Sequence, residues 1–326
     1  MPLILSREQV QELLDMRAAI DAVESGLIEF SAGQAVMPVR VTTPVPAHGG
    51  VVLGMPAFLG QTNALGTKIV TVYKNNPARG LPTIMALVVV NDPETGKVEA
   101  IMDGGYLTAI RTAAASAVGT KYLARPEART LGILGTGVQG FSHLWAMKEV
   151  SSVEEVVIYN RSADKAREFK RQYSERFGLP IEIAPNEQAV CRAADILVLA
   201  TTAAEPIIRR EWLKPGAHIN AVGSHSPGAR ELDGATVAAA RIVVDSREAN
   251  LKESGDLLIP MSEGKIGQEA FQDEIGEVAV GKKPGRRSPD EITIYKSVGI
   301  AIEDVATANL VLARARAQGV GTQVEL

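Results

Sequence analysis

Cysteine is almost missing from this chain. Cys191 is the only one among 326 residues, which rules out an internal disulfide. Its apolar helical surroundings, Ala189, Val190 and Ala193, mark it as a buried structural thiol rather than a reactive one. Long hydrophobic runs are missing too: no window approaches the ~20 apolar residues of a membrane span. The opening Met1-Pro2-Leu3-Ile4-Leu5-Ser6 has no basic region followed by an apolar core, so it does not read as a secretory signal. An excess of basic charge is lacking as well. The net charge is −4, whereas a nucleic-acid binder normally shows a basic stripe. His48, His143 and His218 lack metal-ligand spacing, and no metal is expected. What remains is an ordinary mixture, 46% hydrophobic and 22% charged, long enough for two domains with sizeable cores. The expectation is a cytoplasmic enzyme with neither a membrane nor a nucleic-acid partner.

The most informative stretch is Thr130-Leu131-Gly132-Ile133-Leu134-Gly135-Thr136-Gly137-Val138-Gln139-Gly140. A short apolar run leads into a glycine turn and then into the start of a helix. Gly135, Gly137 and Gly140 fit the G-x-G-x-x-G spacing. Each has a mechanical reason: a tight turn, close backbone approach to a pyrophosphate, and close packing of helix on strand. The helix starting near Val138 aims unpaired N–H groups and its positive dipole end at phosphates. The motif alone is weak, but a second strand, Val156-Val157-Ile158-Tyr159, follows at the right place for a dinucleotide fold.

Around this stretch the chain falls into two parts. A capping box at Ser6–Gln9 predicts a short helix near Arg7, and Asp15 caps a second helix over 16–30. Strand-like segments over 39–102, punctuated by proline and glycine, suit antiparallel strands and turns. An alanine-rich helix over 106–123 leads into the glycine turn. Beyond it strands near 131–134, 156–159, 181–183, 195–200, 217–222, 241–245 and 291–295 alternate with helices near 138–150, 163–177, 186–193, 232–240, 246–253 and 269–280. Such alternation means a parallel sheet covered on both faces. A last helix over 297–318 is too long for a crossover and is expected to return to the first domain. The fold class is therefore α/β: a Rossmann-type doubly wound parallel sheet over 116–299, plus a discontinuous α+β domain over 1–115 and 300–326. The basic stretch Gly281–Pro289 reads as a solvated loop.

The second strand of the dinucleotide fold ends Tyr159-Asn160-Arg161-Ser162. A carboxylate there would grip the ribose hydroxyls of NADH and repel a 2′-phosphate. A guanidinium beside a hydroxyl binds that phosphate in a charge-assisted way. The residues favour NADPH over NADH.

Three cations of the first part lack local partners. Lys68 shares a strand face with Val70 and Val72. Arg111 has no acidic residue three or four positions away on its helix. Arg40 sits among Val39, Val41 and Thr42. One such stem could snorkel to water. Three together point to a site for a small anion, and a carboxylate suits the arginine fork.

Several motifs now add up to a resemblance: Met37-Pro38-Val39-Arg40, Thr67-Lys68, Gly80-Leu81-Pro82-Thr83, Arg111-Thr112-Ala113-Ala114, Gly135-Thr136-Gly137-Val138-Gln139, His218 to Gly223, Arg230-Glu231-Leu232-Asp233, Leu251 to Asp256, and Lys296-Ser297-Val298-Gly299. Over essentially its whole length the chain resembles the ornithine cyclodeaminase/mu-crystallin family. The resemblance implies a homodimer whose non-nucleotide domain supplies the interface and the substrate-binding cations. It implies that Arg40, Lys68, Arg111 and Val298 meet a small imino- or amino-acid substrate. It implies cofactor contacts from Thr83, Arg111, Thr112, Gly135, Gly137, Val138, Gln139, Asn160, Arg161, Ser162, Thr201, Val222 and Ser297.

One departure bears on the reaction. Cyclodeaminases of the family carry an acidic residue inside a G-x-D-x-P-G segment. This chain reads Gly223-Ser224-His225-Ser226-Pro227-Gly228, with His225 in its place. Val51 to Pro56, where ornithine cyclodeaminases offer a carboxylate near the side-chain amine, contains none. An unpaired buried ammonium is costly; Glu253 or Asp256 could face one, but the sequence does not show that either does. The expected activity is reduction of a small cyclic ketimine, pyrroline-2-carboxylate or piperideine-2-carboxylate, by NAD(P)H. Lys68, Arg111 and His225 are the candidate catalytic residues. His225 reads either as a proton donor or as a loop residue that only hydrogen-bonds. The rivals are an ammonia-releasing ornithine cyclodeaminase, reductive amination as in alanine dehydrogenase, and a non-enzymatic NADPH-dependent binding protein.

Overall fold

The computed structural model describes residues Met1–Glu325. The chain divides into two compact units, Met1–Arg111 with the chain from Ile300 onward, and Thr112–Gly299. In chain order the first unit contains β1 (Leu3–Leu5), α1 (Arg7–Leu13), α2 (Met16–Ser31), β2 (Ala35–Val36), β3 (Val41–Val45), β4 (Gly50–Leu59), β5 (Ala64–Tyr73), β6 (Ile84–Asn91) and β7 (Val98–Asp103). Helix α3 (Gly104–Leu123) carries the boundary between the units at Arg111 and Thr112. The second unit continues with β8 (Thr130–Leu134), α4 (Val138–Val150), β9 (Glu155–Tyr159), α5 (Ala163–Phe177), β10 (Ile181–Ile183), α6 (Glu187–Ala193), β11 (Ile196–Leu199) and β12 (His218–Ala221). It ends with α7 (Gly234–Ala239), β13 (Arg241–Val244), α8 (Arg247–Glu253), α9 (Gly255–Ser262), β14 (Asp273–Glu274), α10 (Ile275–Ala279) and β15 (Thr293–Lys296). Helix α11 (Ala301–Gln318) and β16 (Thr322–Gln323) then complete the first unit.

Local chemistry sets the first helices. Ser6 and Gln9 close a reciprocal capping box on α1, and Asp15 accepts the amide of Ala18 at 2.9 Å to start α2. The first unit's sheet runs β16-β1-β7-β6-β5-β4-β2, with β3 also on β4. Strands β3 to β7 pair antiparallel, as their turn-rich sequence predicts. Helix α11 packs on α2, β4, β5 and β6. Leu53, Met55, Val70, Val88 and Val90 are buried. Direct cross-strand neighbours share a face, and Lys68 lies opposite Met55 and Val88. Its side chain is therefore on the buried face, 1% exposed.

The second unit holds an eight-stranded sheet in the order β10-β9-β8-β11-β12-β15-β13-β14. Every pairing in it is parallel. The first strand, β8, lies between β9 and β11, so the winding reverses there. The crevice past the carboxyl ends at such a switch point is where doubly wound sheets take ligands. Cys191 is buried in this unit's core, and burial pushes its thiol up to about 12.

Four details differ from the sequence reading. The helix expected over 269–280 is broken, because Asp273 and Glu274 pair with β13 as a short strand and the Glu277 carboxylate accepts the amide of Glu274 at 3.1 Å. Helix α9 has no counterpart among the expected helices, and it carries Pro260 inside it. The last helix starts at Ala301 rather than Ser297. Gly299 has φ +76°, and the amides of Val298 and Gly299 bond the Asp245 carboxylate, each at 2.8 Å. The basic stretch is not simply solvated. Half-buried Arg286 donates to the carbonyls of Leu123 and Gly216, both at 2.9 Å, while Lys283 pairs with Asp273 and Arg287 with Glu291.

Candidate functional site

Each unit carries a distinct piece of chemistry. In the second unit, a cleft of about 260 Å³ is lined by Gly135, Thr136, Gly137, Asn160, Arg161, Lys165 and Thr201, among others. Gly135 takes φ +101°, a backbone region side chains avoid, and a Cβ there would come within 2.4 Å of the Ala200 carbonyl oxygen. A Cβ on Gly140 would reach 2.2 Å from the Gly135 carbonyl, so helix and turn could not approach as they do. A Cβ on Gly137 would meet nothing within 4 Å. That glycine is exposed and serves as N-cap of α4, with open space over the helix start. The three glycines thus do what the spacing demands: a tight turn, close packing, and bare backbone beside room for a phosphate. The residues fit a dinucleotide.

The cleft lining also carries cations. Asn160 ties itself down by donating to Thr136 Oγ1 at 2.8 Å and accepting the Ser162 amide at 2.9 Å. Ser162 is the N-cap of α5. Arg161 is exposed, and Lys165, one turn into α5, lines the same cleft together with Glu187. Lys165 had not been singled out in the sequence; its spacing from the Ser162 cap was the available signal.

The other predicted cofactor contacts distribute as follows. Thr201, half-buried, is on the cleft just past β11. Val222 follows β12, and exposed His225 lies three residues on. Val138, the first residue of α4, is 64% exposed, and Gln139 follows it half-buried. Ser297 and Val298 are buried just past β15, where the Ser297 hydroxyl donates to Asp245 at 2.9 Å. Thr112 is half-buried on α3. Thr83 belongs to the first unit, where its carbonyl accepts the Tyr73 amide at 2.8 Å just ahead of β6.

The first unit holds the second piece. Lys68 Nζ sits 2.8 Å from Oδ1 and 2.7 Å from Oδ2 of Asp304. Arg111 donates through Nε to Asp304 Oδ1 at 2.8 Å and through Nη1 to Glu303 Oε2 at 2.6 Å. All four side chains are buried. Neither cation snorkels to water. The carboxylates come from the first turn of α11, 192 to 236 residues further along the chain, where sequence neighbours give no sign of them. A usable signal existed: an acidic pair in the first turn of a helix with no further charge until Arg314, and so no basic residue three or four positions on. Arg40, half-buried, stands immediately ahead of β3.

The electrostatics of the cluster are uneven. Burial, reinforced by the neighbouring Arg111 charge, brings the Lys68 ammonium from 10.5 down to about 8 despite Asp304. Burial also opposes the Arg111 charge, but Asp304 and Glu303 more than reverse that and raise its pKa. Arg111 is a permanent cation, whereas Lys68 can gain or lose a proton near neutral pH.

The profile of the ornithine cyclodeaminase/mu-crystallin family matches residues 1–319. This chain belongs to that family. It is 40% identical over 324 residues to the Delta(1)-pyrroline-2-carboxylate reductase of Bacillus cereus, covering 99% of each chain. The structure of the Thermococcus litoralis Delta(1)-pyrroline-2-carboxylate reductase in complex with NADH and L-proline superposes with a TM-score of 0.97 at 42% identity, covering 99% of this chain and 100% of that one. An archaeal alanine dehydrogenase dimer with bound NAD superposes with a TM-score of 0.95 at 38% identity, covering 100% and 99%. These family members are oxidoreductases, and both solved structures contain a nicotinamide dinucleotide.

One of the two carboxylates considered for a diamine substrate is already engaged within this structure. Asp256, a carboxylate left over for a diamine substrate, is fully buried and bound to Lys296 Nζ at 2.9 Å. It also accepts the amides of Glu231 and Leu232 at 2.7 and 3.0 Å. Its ammonium partner is thus already supplied from within the protein.

Proposed function

We propose that this protein reduces a small cyclic ketimine carrying a carboxylate, of the pyrroline-2-carboxylate or piperideine-2-carboxylate class, to the cyclic L-amino acid. The observation that carries the reading is the buried Lys68–Asp304–Arg111 cluster in a chain that also holds a complete dinucleotide cradle. Arg40 and Arg111 bind the substrate carboxylate, for which a fixed guanidinium is the fitting partner. Lys68, able to hold or release a proton close to neutral pH, polarises the imine nitrogen and supplies its proton. His225 is a second proton carrier on the loop after β12. Val298 borders the substrate. Nicotinamide, when bound, supplies the hydride, so one hydride and one proton convert C=N to CH–NH. Thr83, Thr112, Gly135, Gly137, Val138, Gln139, Asn160, Arg161, Ser162, Thr201, Val222 and Ser297 hold the dinucleotide. The test is a mixture of protein, reduced cofactor and pyrroline-2-carboxylate, followed by nicotinamide absorbance. Cofactor oxidation dependent on the imine supports the reading. Ammonia released from ornithine without net cofactor change, or oxidation that requires pyruvate plus ammonia, replaces it with the cyclodeaminase or alanine dehydrogenase reading. Tight cofactor binding with no turnover of any of these leaves only a binding protein.

Of the two cofactors we favour NADPH. Arg161 and Lys165 beside the start of α5 offer two charge-assisted partners for a 2′-phosphate, and the strand ends in Asn160 rather than a carboxylate. Arg161→Asp is expected to weaken NADPH by about tenfold or more while leaving NADH within about twofold, read from the two Kd values. Equal losses would remove the preference.

The assembly we favour is a homodimer built on the first unit's sheet. Val41, Ile69 and Leu87 fall in one row across β3, β4, β5 and β6, on the face opposite Lys68. They are 66%, 44% and 40% exposed, and Met85 on the same face is 41% exposed. An apolar row of this kind marks an interface. Ile69→Glu should halve the mass measured by light scattering; an unchanged mass would place any interface elsewhere.

A further inference from the structure

Glu231 plays no part in the chemistry above, yet it is fully buried directly behind the dinucleotide cleft. Its Oε1 accepts the Thr201 amide at 2.9 Å and the Thr201 hydroxyl at 2.6 Å. Its Oε2 accepts the Gly223 amide at 2.9 Å. One carboxylate thus ties the end of β11 to the end of β12. Gly223 has to be glycine for this, since a Cβ there would come within 2.3 Å of Glu231 Oε2. The charged groups facing Glu231 are Asp256 from α9, which accepts its backbone amide, and Lys296 from β15, which pairs with Asp256 and donates to the Ser224 carbonyl at 2.6 Å. Arg230, next in the chain, is paired with Glu263 at 2.9 Å.

The Thr201 hydroxyl has one proton and two lone pairs. In this arrangement the proton goes to Glu231 and one lone pair accepts the Ala203 amide at 3.1 Å. A further partner from the cleft that Thr201 lines could therefore only donate to the hydroxyl. If Glu231 carries a proton on Oε1, that proton can be donated to Thr201, and the hydroxyl turns to present its own hydrogen to the cleft.

We propose that Glu231 is a positioning residue that sets the hydrogen-bond polarity of Thr201 toward the bound nucleotide. When ionised it makes Thr201 an acceptor for a hydroxyl or amide donor of the dinucleotide, and when protonated it makes Thr201 a donor. Burial and the nearby Asp256 charge push the Glu231 carboxyl up to about 7, against the hydrogen bonds from Thr201 and the Lys296 charge, so both forms are populated near neutral pH. The inference rests on the nucleotide part of the proposed function and not on the imine chemistry.

The experiment measures NADH binding by nicotinamide fluorescence from pH 5.5 to 8.5, without imino acid. NADH is used because it has no 2′-phosphate to titrate in the same range. The wild-type Kd is expected to rise about five- to tenfold as pH falls through about 7, the worth of one hydrogen bond. Thr201→Val should weaken binding by a similar factor at pH 8.5 and flatten the profile. Glu231→Gln, an uncharged analogue, should also bind with a flat profile. If that variant does not fold, the wild-type and Thr201→Val profiles still decide. A flat wild-type profile, or a Thr201→Val profile as steep as wild type, overturns the proposal while leaving the dinucleotide reading standing. No NADH binding at any pH would sink both, and failure of ketimine turnover alone would touch neither.

Discussion

Asp304→Asn is expected to cost about 3–5 kcal/mol of stability at pH 7, the usual consequence of removing one partner from a buried ion pair. The side chain is nearly isosteric, so the loss cannot be ascribed to a cavity. What changes is charge: Asp304 holds both Lys68 and Arg111 within 2.8 Å, and without it two buried cations face one remaining carboxylate, Glu303. Lys68 then loses the attraction that keeps its pKa from falling further. The cost should shrink on raising the pH to 9, where Lys68 is neutral in the wild-type protein as well. Urea unfolding at both pH values provides the measurement. A loss under about 1 kcal/mol at pH 7 would show that the pairing is not what holds α11 against the sheet.

Lys68→Met should lower kcat for ketimine reduction about 10²- to 10⁴-fold, the range usual for loss of a positioned proton donor. In the wild-type protein the same residue predicts opposite trends in activity and stability. With Lys68 brought down to about 8, reduction should fall as pH rises through about 8, because the ammonium is the competent form. The linkage runs the other way. Between about 8 and 10.5 the unfolded chain keeps the proton that the folded chain has released, so the Lys68 contribution to stability rises with pH in that window. Initial rates and unfolding curves on the same buffers check the pair. A rate that holds level to pH 10 would exclude Lys68 as the proton donor, and the His225 imidazole with it.

How far the sequence carries depends on whether a feature is local. The capping box at Ser6, the Asp15 cap, the glycine cradle and the alternation of strands and helices are written in neighbouring residues, and each has its counterpart in the structure. The buried face of β5 followed from period two, which put Lys68 with Val70 and Val72. The same reading placed Lys68 and Arg111 as cations without partners. It could not see Glu303 and Asp304, because nothing local links residues 68 and 111 to the start of the last helix. Nor could it see Glu231, whose partners lie on two different strand ends. Helix α9 and the broken segment around Asp273 failed for another reason. There tertiary pairing overrides propensity: Pro260 is accommodated inside a helix, and a two-residue strand interrupts what reads as one helix.

The late arrival of α11 has a consequence for synthesis. Domains fold as units while the chain emerges, and the second unit is continuous, so it can close as soon as β15 is made. The first unit has to wait. Until the residues after Ile300 leave the ribosome, Lys68 and Arg111 have no counter-ions, and the sheet face that carries Lys68 has no cover from α11. Residues translated ahead of the whole second unit are thus among the last to reach their final state, and the nascent protein passes through a stage in which a finished nucleotide fold trails an unfinished, aggregation-prone sheet.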